Sequence, residues 1–181
     1  MAVRPVLALV AAVALTTAAC DAPADDPDPT PTGTVPAENA TTAPLLPRSA
    51  DELPAFDPES FRTLLEQLRG TPVLVNVWGS WCPPCQEEMP RLVAAHADFG
   101  DRVQFLGIDI LESRPEARAF IEEHGMRFPS VFDVDDAIKA SFGAFGQPTT
   151  FFFDRTGALM TAWSGAISED RLRRNLRAIA T

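Results

Sequence analysis

The stretch PVLVNVWGSWCPPCQEEMP, residues 72–90, decides the fold. Its first part, PVLVNVW, is an apolar run of strand length with no polar alternation, the pattern of a central strand buried on both faces. A helix is expected from Pro83 to about Phe99, so the CxxC pair Cys82 and Cys85 falls between a buried strand and a helix.

Working outward, strands and helices alternate. Upstream, Asp57 caps a helix carrying Phe61, Leu64, Leu65 and Leu68 at helical spacing, and Gly70 ends it. Downstream come a strand over VQFLGID at 103–109, a helix around 115–124 stopped by Gly125, and a short strand at 130–133. A helix around Asp135 to Phe142 and the strand TTFFFD at 149–154 follow. DRTG is a turn signal before ALMTAW, which makes a hairpin, and a last helix runs from a Ser168 cap to Ile179. Such an order gives a three-layer α/β domain around a mixed sheet.

A CxxC in this context points to thiol–disulfide exchange. The chemistry needs two thiols close enough to bridge and a site that makes one a nucleophile, and the first turn of a helix supplies both. Cys82, at the helix N-terminus beside Trp81, is the expected attacking thiol, and Cys85, one turn inward, the resolving one. Pro83 and Pro84 have no N–H, which leaves Cys85 as the first donor available to a Cys82 thiolate. That arrangement lowers the thiol pKa less than a full set of donors would, and favours use as a reductant. Zinc binding would need a second ligand pair, and His96 and His124 stand apart from each other and from further cysteines. A purely structural role is disfavoured because so small a loop constrains little of the unfolded chain. No metal and no cofactor are expected.

VLVNVWGSWCPPCQEEMP, together with GQPTTFFFDRTG further on, resembles the TlpA/ResA group of thioredoxin-like disulfide reductases with their redoxin (AhpC/TSA-like) domain, over about residues 55–180. The resemblance implies a thioredoxin fold with an N-terminal extension and a central αβ insertion. It also implies a cis-proline at Pro148, with the Gln147 backbone open to an extended substrate strand and Trp81 beside it. Glu88 lies three residues after Cys85 and shares its helix face, so it is the candidate for taking or giving the Cys85 proton. Glu87 falls on another face, as a solvated helix charge. Asn76 occupies the strand position where many thioredoxins carry a titrating Asp, and an amide cannot do that work. Pro90, inside the helix, is read as architectural. By the same resemblance the substrates are disulfides of exported proteins, apocytochrome c among them, and electrons come from a membrane thiol-transfer protein. Use as a disulfide oxidant or isomerase is the alternative. A peroxiredoxin-type site would need Thr and Pro where Gly79 and Val75 stand, and a copper-delivery module spaces its cysteines by three residues.

Residues 1–19 carry one positive charge at Arg4, then VLALVAAVAL and the small residues TTAA, which read as a secretory signal peptide too short to span a membrane. Cys20 follows where a lipoprotein precursor is cut and lipidated, although Thr17 stands where the lipobox usually has Leu. Residues 20–53, rich in Asp, Pro, Thr and Ala, are expected to form a disordered tether, with the catalytic domain at 54–181. The protein is therefore expected outside the cytoplasm, anchored to the outer face of the cell membrane by lipidated Cys20. A net charge of −10 without Lys/Arg clusters argues against nucleic acid. A monomer is expected.

Overall fold

The continuous apolar run at the centre of the chain becomes β1 (Val73–Trp78), every residue of which is buried. Val73, Val75 and Val77 enter one core cluster, and Leu74 and Trp78 the other. The period of two is hidden in the sequence because both faces are covered. This is a computed structural model, and it describes residues 43–181.

The elements follow as α1 (Pro58–Gln67), β1, α2 (Pro83–Phe99), β2 (Gln104–Ile110), α3 (Arg114–His124) and β3 (Ser130–Asp133). Then come α4 (Ala137–Ser141), β4 (Thr149–Phe153), β5 (Leu159–Ser164) and α5 (Glu169–Ile179). One sheet has the order β3-β2-β1-β4-β5. β1, β2 and β3 run parallel, while β4 lies antiparallel to β1 and β5 antiparallel to β4. The sheet is thus mixed. The α3–β3 unit is the central insertion, and it adds an edge strand beyond β2. Leu92, Phe120, Leu172 and Leu176 from α2, α3 and α5 cover one face. Phe61, Leu64 and Ile138 from α1 and α4 cover the other.

Two boundaries differ from the sequence reading. Residues 43–53, expected to belong to the tether, are packed onto the domain. Leu53 is fully buried and Ala50 nearly so, and Leu45 and Leu46 pack against the α1-side core. Gln67 pins the segment, accepting from Leu45 N at 2.8 Å and donating to Ala43 O at 3.1 Å. These apolar residues bury enough surface to offset the cost of ordering the chain. The second difference is α4, which is shorter than 135–142. Its N-terminal donors are capped from outside the helix: Asp133 Oδ1 accepts from Ala137 N at 3.1 Å and Oδ2 from Ile138 N at 2.8 Å. The expected signal segment 1–19, Cys20 and the tether up to residue 42 lie outside the described residues.

Candidate active site

Cys82 is the N-cap of α2, in extended conformation with φ −96° and ψ 105°. It is bonded to Cys85 as a disulfide. The Cys85 N–H donates to Cys82 Sγ at 3.3 Å, and Pro83 and Pro84 fill the first two helical positions. The first donor facing the sulfur is therefore the third residue of the helix. Cys82 keeps 3% of its surface exposed and Cys85 none, so of the two sulfur-bearing residues only Cys82 reaches solvent. That asymmetry suits an attacking and a resolving thiol.

Glu88 lies one turn beyond Cys85 and is fully buried. Its Oε1 accepts from Asn76 Nδ2 at 2.7 Å and its Oε2 from Ile167 N at 2.7 Å. Burial pushes its pKa up to about 7, against the lowering effect of these two hydrogen bonds. The carboxyl can hold or release a proton near neutral pH beside the helix turn that carries the disulfide. Glu87 faces solvent and pairs with Arg91 at 2.8 Å, as a surface helix charge does. Arg91 also donates to Ile167 O at 3.1 Å, which holds the loop before α5 whose N–H serves Glu88.

Pro148 follows a cis peptide bond from Gln147. The antiparallel register, with Val77 opposite Thr149, puts Pro148 at the same end of the sheet as Cys82. Gln147 makes no backbone hydrogen bond among the described residues. Its side-chain Oε1 accepts from the buried Lys139 Nζ at 3.3 Å. Trp81 is 44% exposed, with its Nε1 donating to Ile110 O at 3.2 Å. Cys82, Cys85, Glu88, Trp81, Gln147 and Pro148 thus gather at one end of the sheet and along one helix.

His96 and His124 are not part of this group. His96 packs edge-on against Phe105 and Phe128, and His124 lies on Phe120. Three participants are missing from the sequence reading. Thr150 Oγ1 accepts from Asn76 Nδ2 at 3.1 Å because the β1–β4 register sets the two opposite each other. The Ile167 N–H is a backbone group and leaves no residue signature. Glu112 accepts from Ser80 N at 2.6 Å and also from Ser80 Oγ.

Residues 50–162, more than half of the chain, match the AhpC/TSA family. The chain belongs to that family. Thiol-disulfide oxidoreductase ResA of Geobacillus thermodenitrificans is 29% identical over 139 residues, covering 76% of this chain and 80% of ResA. The structure of MTB dsbF, in mixed oxidized and reduced forms, is 31% identical with a TM-score of 0.59, over 63% of this chain and 84% of that one. A secreted Mycobacterium tuberculosis disulfide oxidoreductase homologous to E. coli DsbE is 28% identical with a TM-score of 0.58, over 62% and 85%. The thioredoxin-like fold is the one these structures have. With such relatives and a CxxC disulfide of its own, this family member is a thiol-disulfide oxidoreductase.

Proposed function

We propose that the protein reduces disulfides of exported proteins, with Cys82 as attacking thiol and Cys85 as resolving thiol. In the dithiol form, the Cys82 thiolate attacks one sulfur of the substrate disulfide. A Cys82–substrate bond forms, the substrate S–S bond breaks, and the other substrate sulfur leaves as a thiolate. Cys85 then loses its proton to Glu88 and attacks Cys82 Sγ. The Cys82–Cys85 disulfide closes, and the reduced substrate leaves with both electrons. A dithiol donor returns the pair to its starting state, a role that suits a membrane thiol-transfer protein. Trp81, Gln147 and Pro148 form the substrate-facing surface, where the unclaimed Gln147 backbone can pair with an extended strand.

The observation that carries this reading is the cap of α2. Two prolines leave the Cys82 sulfur one backbone donor, at Cys85, so the thiolate gains less than it would from an open N-terminus. A less stabilised thiolate makes the disulfide form relatively more favourable, which is the bias of a reductant. The pattern of residues 1–20 supports export and lipid anchoring at Cys20, and mass analysis of the mature N-terminus tests both. No helix among the described residues is long and apolar enough to cross a membrane. Apocytochrome c is the substrate suggested by the resemblance to the TlpA/ResA group.

Trapping tests the assignment of the two thiols. A Cys85→Ser variant is expected to accumulate a mixed disulfide through Cys82, and a Cys82→Ser variant to accumulate none. Trapping through Cys85 instead would reverse the roles.

A further inference from the structure

The corner between β2 and α3 touches the reactive loop three times. Trp81 Nε1 donates to Ile110 O, Ser80 N donates to Glu112 Oε1, and Ser80 Oγ donates to Glu112 Oε2. Leu111, between these two acceptors, has φ 58° and is 50% exposed. A leucine in the left-handed region is uncommon, and it persists where its surroundings hold it there. Turning the chain at Leu111 lets a carbonyl at 110 and a carboxylate at 112 serve the same loop. The fit is close on the other side as well. A Cβ on Gly79 would meet Trp81 Nε1 at 2.7 Å and Ile110 O at 3.3 Å, so only glycine lets the loop approach the corner this far.

Ser80 passes the hold on to α2. Its carbonyl accepts from Gln86 Nε2 at 2.6 Å, and Cys82 N donates to Gly79 O at 3.1 Å. Asp109, on β2 three residues before Glu112, is fully buried with no hydrogen-bond partner for either carboxyl oxygen. Burial first, and the Glu112 carboxylate second, raise its pKa to about 9.

We propose that Glu112 is a positioning residue for the dithiol: by holding both donors of Ser80 it keeps Cys82 at the cap of α2, with its sulfur turned toward the Cys85 N–H. The proposal rests on the reading of Cys82 as attacking thiol.

The test uses the full chain and an aromatic disulfide that releases a coloured thiolate, at a pH where Cys82 is fully ionised. Glu112→Ala is expected to lower the second-order rate constant by about 10²-fold, the scale of a reacting group displaced by about 1 Å. Glu112→Gln is expected to restore most of that loss, because its amide oxygen still accepts from Ser80 N and its amide N–H can donate to Ser80 Oγ. A wild-type rate in Glu112→Ala overturns the proposal. So does a Gln variant as slow as the Ala variant, which would assign the effect to charge. Ser80→Ala removes one contact from a partly buried loop and keeps the test open should Glu112→Ala fail to fold. It is expected to lose about tenfold, the scale of one hydrogen bond to a charged group, and an unchanged rate overturns the proposal. Cys82→Ser is the control: a rate equal to wild type there defeats the nucleophile assignment, whereas an inert Cys82→Ser beside a fully active Glu112→Ala defeats only the positioning role.

Discussion

Glu88 ties proton chemistry to stability, because a carboxyl that prefers its neutral form in the fold binds a proton that the unfolded chain has already lost. Its pKa is about 7 in the fold against 4.5 for an ordinary Glu. Its contribution is therefore fully present below about pH 4.5 and is lost as pH rises through about 7. Glu88→Gln cannot titrate. The stability difference between wild type and this variant is expected to shrink in wild type's disfavour by a few kcal/mol across that window, then level off. Urea unfolding at several pH values checks it, and a difference independent of pH would remove Glu88 from the titrating groups. In single turnover, the same variant is expected to close the Cys82–Cys85 bond about 10²-fold more slowly, the scale of general acid–base catalysis. Cys85 and Glu88 could be found from the sequence because i, i+3 spacing on a helix is a local rule. Thr150, Glu112 and the Ile167 N–H could not, because they join the site through strand register and loop closure between residues far apart in the chain.

At the scale of elements, α2 is the functional unit, and its first turn sets the chemistry. Pro84→Ala gives the cap a second backbone donor to the Cys82 sulfur. One added hydrogen bond to a thiolate is worth on the order of one pKa unit, so the Cys82 thiol is expected to titrate about one unit lower. Thiolate absorbance of the reduced protein measures it, and an unchanged titration would contradict the role given to the prolines. α4 makes a parallel case for stability, since two of its N-terminal donors rest on Asp133. Asp133→Ala is expected to cost about 1–2 kcal/mol in urea unfolding, as lost helix caps do. The helices and strands were readable from hydrophobic period and turn residues. The start of α4 was not, because its cap comes from the preceding strand end and Asp136 adopts a left-handed conformation, φ 57°, that sequence spacing does not report.

For the molecule as a whole, the domain begins earlier than composition suggests. Leu45, Leu46, Ala50 and Leu53 are sparse among Pro, Ser and charged residues, so the stretch reads as linker until the core surface that receives it is known. A chain starting at residue 54 is expected to be less stable than one starting at residue 43 by about 3 kcal/mol or more, as the loss of a buried leucine alone costs about 2–5 kcal/mol. Equal urea midpoints would return residues 43–53 to the tether. The central claim, that the fold presents a reducing dithiol, is tested most directly by the equilibrium reduction potential of Cys82/Cys85. The fluorescence of buried Trp78 or half-exposed Trp81 can report it. A value near the thioredoxin end of the scale, about −270 mV, is expected. A value near about −120 mV, that of a strong oxidant, would contradict the account and make this protein a source of disulfides.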